Sequence, residues 1–157
     1  MRDIVRQVVN VLATLLVLTV NALANALPFN GLTTGEVSDQ FERFFVPAGY
    51  AFAIWGLIYT AVVGFTVYQA LPSQRQNPHL RRIGYLYAGT CVANGAWLFL
   101  WHYEQFLWSQ VAMFALLLLL IAIYLQLRIG LIRVPPADTW LVHVPFSIYL
   151  GWITVAT

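Results

Sequence analysis

The chain has 157 residues, of which 61% are hydrophobic and only 9% charged, with a mean hydropathy of +0.74. A soluble domain carries about 25% charged residues, so an ordinary soluble fold is excluded and a membrane protein is expected. The net charge of +2 comes from eight arginines and no lysine, most of them in short segments between apolar runs; it is a topology signal and no argument for a nucleic-acid partner, while the single cysteine, Cys91, excludes a disulfide framework.

The first apolar run covers residues 8–27, roughly 30 Å as a helix and enough to cross a bilayer. Arg2 and Arg6 precede it, and Ala22-Leu23-Ala24 resembles a signal-peptide cleavage site. The run is long for a signal and contains Asn10, Asn21 and Asn25, so it is read as a retained membrane helix. Residues 28–45 form the longest polar segment, acidic through Glu36, Asp39 and Glu42, with Arg43 beside them. A short surface helix is predicted over residues 38–45. A loop of this length in a compact membrane protein is often a lid, and a passive connector is the alternative.

The second span is expected at residues 46–71, opened by Pro47-Ala48-Gly49 and ended by Pro72 and a polar run to Arg82. The third is expected at 83–101, the fourth at 106–127 with an aliphatic centre from Leu116 to Ile123, and the fifth at 140–157. The chain then stops inside apolar sequence, without the polar flank that usually closes a span. A truncated chain is one expectation from this, a very short native terminus the other. Arg2, Arg6, Arg75, Arg81, Arg82, Arg128 and Arg133 fall on one side if five spans alternate, and Arg43 alone on the other. That asymmetry predicts an all-α, single-domain bundle of five transmembrane helices, N-terminus in the cytoplasm and acidic loop outside.

Within the second span, Phe52, Trp55 and Tyr59 are three and four apart and share a helical face, with Tyr50 pointing elsewhere. A wall of rings suits a flat apolar ligand or a neighbouring helix; leucine would serve against lipid. Asn94 and Trp97 share a face mid-span among the small residues Gly89, Ala93, Gly95 and Ala96. An interhelical hydrogen bond and a ligand contact are both open for that amide, and the small residues permit a homodimer. His143 and Ser147 are four apart. An ionisable group at membrane depth is a functional candidate, so His143 is read either as a satisfied interfacial side chain or as a contact for an anionic or metal-bearing ligand. Topology is expected to separate His79, His102 and His143, so no metal cluster is predicted. Paired intramembrane carboxylates, a phosphate-binding glycine loop and a nucleophile elbow are absent, and no enzyme is expected. Trp101, Trp108 and Trp140 fit an interfacial belt; Trp55, Trp97 and Trp152 lie deeper.

Taken together, Pro47-Ala48-Gly49-Tyr50-Ala51-Phe52, Ile54-Trp55 and Leu57-Ile58-Tyr59 resemble the second-helix signature of the TspO/translocator protein family, the tryptophan-rich sensory proteins, roughly P-P-G-W-x-F-x-x-V-W-x-x-L-Y. Asn94 with Trp97 is similar to that family's third-helix N-x-x-W pattern. Pro145, Trp152, Thr154, Ala156 and Thr157 are similar to its fifth-helix P…W-x-S-x-A-T segment. The resemblance covers residues 47–157. Ala48 and Tyr50 depart from the signature, Pro145 and Trp152 are more widely spaced than in it, and the asparagine that usually follows the Ala-Thr pair lies beyond the last residue.

The resemblance implies a five-helix membrane protein that binds tetrapyrroles such as porphyrins, or sterols, in a pocket among the helices beneath the first loop. Carried over to this chain, it implies that Tyr50, Phe52, Trp55 and Tyr59 line the pocket from the second helix, Asn94 and Trp97 from the third and Trp152 from the fifth. It implies no resident cofactor, a hydrophobic small molecule and the lipid bilayer as partners, and the bacterial inner membrane as location. A small-solute transporter is the first alternative, although no inverted repeat or mid-span charge supports it. A structural subunit whose rings only pack helices is the second.

Overall fold

The structure is a computed structural model that describes residues 1–27, 29–39 and 53–157. Among the described residues every regular element is helical. Helix α1 is Arg2–Ala26, followed by a tight turn at Phe29–Gly31 and the short α2, Thr34–Asp39. Helix α3 is Ile54–Ala70, α4 is Pro78–Ile83, α5 is Leu86–His102, α6 is Phe106–Leu127 and α7 is Pro136–Ala156. Helices α1, α6 and α7 are long and apolar enough to cross a membrane, and α3 is a shorter apolar helix. The part of the expected second span before residue 53, with Tyr50 and Phe52, lies outside the described residues.

Helix α1 shows how a membrane helix chooses its inner face. Gln7, Asn10, Thr14, Val17, Asn21 and Ala24 are buried, spaced alternately three and four apart. Val8, Leu12, Leu15 and Leu16 are exposed. In lipid the hydrocarbon accepts leucine as readily as a protein core does, so the polar side chains turn inward to find partners. Gln7 Nε2 donates to the carbonyls of Gln69 (2.6 Å) and Leu71 (3.0 Å), tying α1 to the end of α3. Thr14 Oγ1 lies 2.8 Å from Thr66 Oγ1 and 2.6 Å from the Tyr87 hydroxyl, joining α1, α3 and α5 midway. Beside that knot Phe65, Tyr87 and Phe146 pack edge to face, with centroids 4.8 to 6.0 Å apart, and bring α7 into the core.

Helix α6 lies along α5, where Gly89 admits Leu119: a β-carbon at Gly89 would come within 3.3 Å of it. The third apolar run divides because Gly84, at φ 55°, takes a left-handed conformation that glycine adopts without steric cost. Ile83 therefore closes α4, and α5 begins at Leu86. Helix α7 carries a widened π-turn at Thr139–His143. Pro145 has no N–H for Leu141 and would crowd its carbonyl, and the wider turn relieves both faults.

The expectation that topology separates the three histidines is corrected here. Asn77 caps α4 by accepting from the His79 N–H at 2.9 Å, and its Nδ2 donates to Asp138 at 3.1 Å. This docks α4 on the start of α7 and sets the His79 and His143 rings edge to face, centroids 6.3 Å apart. A loop that folds back along the bundle cancels the separation that linear topology implies. His102 stays at the opposite end of α5, its Nδ1 within 2.8 Å of the Leu98 carbonyl.

Candidate functional site

The site grows from two i, i+4 ring pairs. On α3, Trp55 and Tyr59 stack with centroids 5.4 Å apart and planes 23° from parallel. On α5, Trp97 and Trp101 stack at 6.3 Å. Residues four apart lie one above the other on a helix, so each pair follows from sequence spacing alone. The tertiary structure joins the pairs: Trp55 stacks on Trp97 at 5.7 Å and 24°. Tyr59, Trp55, Trp97 and Trp101 form one continuous column. From α7, Tyr149 and Trp152 meet Trp55 edge-on at 6.0 and 6.4 Å. Each such contact adds about 0.5–1.5 kcal/mol beyond burial, which makes Trp55 the hub.

A chain of hydrogen bonds runs beside the column. The Tyr59 hydroxyl donates to Asn21 Oδ1 at 2.6 Å. Asn21 Nδ2 donates to Asn94 Oδ1 at 3.0 Å, and Asn94 Nδ2 donates to the Tyr149 hydroxyl at 3.2 Å. Four helices, α3, α1, α5 and α7, are thereby linked through side chains alone. Asn94 is completely buried and both ends of its amide are engaged, so of its two open readings the geometry favours the interhelical bond.

A cavity of about 300 Å³ opens beside this framework. Trp55 and Tyr59 of α3, Trp97 and Leu98 of α5, and Asn21 and Asn25 of α1 line it. Thr33, Thr34 and Gly35 form its mouth. The mouth is held by a capping box. Glu36 Oε2 accepts from the Thr33 N–H and the Thr33 hydroxyl, both at 2.7 Å, and the Glu36 N–H donates to Thr33 Oγ1 at 3.4 Å. Trp101 Nε1 donates to the Thr34 carbonyl at 3.2 Å, pinning the start of α2 to the end of the ring column.

The two bonds from Thr33 hold the Glu36 carboxyl below its usual value of 4.5. A group whose pKa falls on folding stabilises the folded form above its unfolded pKa and loses that effect as pH falls through the folded value. The mouth is therefore expected to loosen below about pH 4.5, and Glu36→Ala, which removes the acceptor, to loosen it at neutral pH. Hydrogen-exchange protection of the Val37 and Ser38 amides, taken relative to the intrinsic rate at each pH, checks this: protection that falls in acid for the native protein, and low protection at both pH values for Glu36→Ala.

The structure brings Trp55, Tyr59, Asn94, Trp97 and Trp152 into one neighbourhood. It does not bring His143 there. His143 lies against His79, about 14 Å along α7 from Trp152 at 1.5 Å per residue, and does not line the cavity. Trp152 abuts Trp55 with its indole N–H buried and without a partner among the described residues. Tyr50 and Phe52 lie outside the described residues. Sequence reasoning missed Asn21, Tyr149 and the Thr33–Glu36 box, and assigned Trp101 to an interfacial belt. The inward polar stripe of α1 and the Thr-x-x-Glu spacing were signals for the first and third. Among the described residues no group of three or more His, Cys, Asp or Glu side chains is placed to hold a metal ion.

A family model described as TSPO-like protein matches residues 7–157. No curated protein and no solved structure matches the chain significantly.

Proposed function

The chain belongs to the TSPO-like protein family, and from that premise we propose that it is a five-span membrane protein whose ring-lined cavity binds a flat hydrophobic ligand, a tetrapyrrole in the first place and a sterol in the second. The family carries a membrane-associated ligand-binding or sensory role. The observation that carries the finer reading is the Tyr59–Trp55–Trp97 column beside a cavity with a capped polar mouth. Aromatic walls with a few placed polar groups suit a flat apolar molecule. About 300 Å³ is at the low end for a small-molecule site, so a macrocycle enters as the mouth at Thr33–Gly35 moves aside. The role is binding and sensing, linked to transport of the ligand, and no bond-making chemistry is assigned. The arginine-rich loops and N-terminus face the cytoplasm in this reading, and the mouth faces outward.

A second reading has support from one feature: the column's rings stack on one another and Asn94 is spent on neighbouring helices, as in a purely structural bundle. Titrating the detergent-purified protein with protoporphyrin IX and following tryptophan fluorescence separates the two. Saturable quenching is expected, with affinity about tenfold weaker in Trp55→Phe, the loss of roughly one good aromatic contact, and with stability lowered by about 1 kcal/mol, no more than in Trp97→Phe, since one ring stays on the stack. Non-saturating quenching, equal in both proteins, means pigment partitioning into detergent and leaves the structural reading.

A further inference from the structure

The seam between α1 and α3 carries a groove that the aromatic cleft does not use. It holds about 540 Å³ between Val11, Leu15 and Leu18 of α1 and Val63, Val67 and Ala70 of α3. Thr14 and Thr66 also line it, but their hydroxyls are taken by each other, by Tyr87 and by the carbonyls of Asn10 and Val62. What remains for an occupant is an almost wholly apolar wall. A second hollow of about 240 Å³ shares Val11 and Ala70 with the first and continues past Val8 and Ile4 to Arg75.

The dimensions and charge identify the occupant. Leu18 to Ile4 is about 21 Å along a helix at 1.5 Å per residue, half the roughly 40–45 Å of a bilayer with its headgroups. The groove is therefore one leaflet deep, apolar at mid-membrane and basic at the surface. Arg75 is exposed and, among the described residues, makes no ion pair. Its carbonyl accepts from Arg6 Nη2 at 3.1 Å, which fixes this turn beside α1. Asp3, the nearby carboxylate, is engaged by Arg81 at 2.7 Å and Arg6 at 3.1 Å. Arg6, Arg75 and Arg81 thus outweigh it at the groove's end. A helix of a second copy, about 10–12 Å wide with its side chains, would run the full bilayer, whereas among the described residues the lining reaches only to Leu18 and Val63.

We propose that the α1–α3 seam is a binding site for an anionic phospholipid of the leaflet on the Arg75 side, with one acyl chain in the groove and the phosphate on the Arg75 guanidinium. This rests on the chain being an integral membrane protein and not on what the aromatic cleft binds. Native mass spectrometry of the full chain in non-ionic detergent, with phosphatidylglycerol or phosphatidylcholine of matched chains added, tests it. One retained phosphatidylglycerol is expected, preferred about fivefold, as one surface arginine near an anionic headgroup provides. Arg75→Gln should bring the two lipids to parity, and Arg82→Gln should leave the preference intact. Ala70→Phe fills the groove and should release both lipids. Val67→Trp, at an exposed position, should do the same and stands in if Ala70→Phe does not fold. Equal retention by the native protein, a preference that survives Arg75→Gln, lipid that survives the filled groove, or dimers in place of bound lipid would each overturn the proposal.

Discussion

Trp97→Ala is expected to destabilise the protein by about 3 kcal/mol, the lower end for removing a large buried ring. Trp97 is 7% exposed and sits between Trp55 on α3 and Trp101 on its own helix. Its removal severs the column where two helices meet. Lipid cannot relieve the loss, because the void lies inside the bundle, and in a membrane such packing contacts carry much of the helix association. The neighbouring cavity would merge with the new void. Trp97→Phe keeps one ring on the stack and should cost about a third as much. Denaturant unfolding in mixed micelles, read by far-ultraviolet circular dichroism, measures both. A Trp97→Ala protein as stable as its parent would show that the column is not a structural element at all, and the cleft's shape would need another origin.

Asn94→Leu is expected to cost about 2 kcal/mol. The substitution nearly conserves volume, so the effect is one of polarity. Asn21 Nδ2 loses Asn94 but keeps the Val17 carbonyl at 2.9 Å. The Tyr149 hydroxyl, in a side chain only 5% exposed, loses the Asn94 donor at 3.2 Å. A buried group left unpaired costs more than a bond replaced on both sides. The double variant Asn94→Leu/Tyr149→Phe should therefore be less destabilised than the sum of its singles, by about 1 kcal/mol. Strict additivity would mean that the two side chains do not interact, and the relay from Tyr59 through Asn21 to Tyr149 would lose its last link.

Much of this architecture is legible in the amino-acid sequence alone. Nine per cent charged residues leave no surface for a soluble fold, and backbone satisfaction in lipid then makes helices the natural form. The ring signature from Pro47 to Tyr59 leads to the family that the whole-chain match supports. The pairs Trp55–Tyr59 and Trp97–Trp101 follow from four-residue spacing, because neighbours on a helix are set by local geometry. The inner face of α1 is also readable, since Gln7, Asn10, Thr14 and Asn21 fall on one stripe of the helix and find their partners inward.

The tertiary structure decided what these pieces meet. Helix α6 has leucine or isoleucine on both sides, Leu116 and Ile123 buried, Leu118 and Leu125 exposed. Hydropathy cannot orient such a helix, because lipid and core look alike to an aliphatic side chain. Which face of α3 meets which face of α5 is therefore absent from the pattern, and with it the Trp55–Trp97 contact that makes one column from two pairs. The same holds for Asn94, whose partners lie 73 residues before it and 55 after it. His143 shows the limit most plainly: its helix position is readable, yet the fold turns it to His79 and away from the cleft. Local spacing determines which side chains share a helix face, whereas helix rotation and loop return, set by packing across the whole bundle, decide what that face sees.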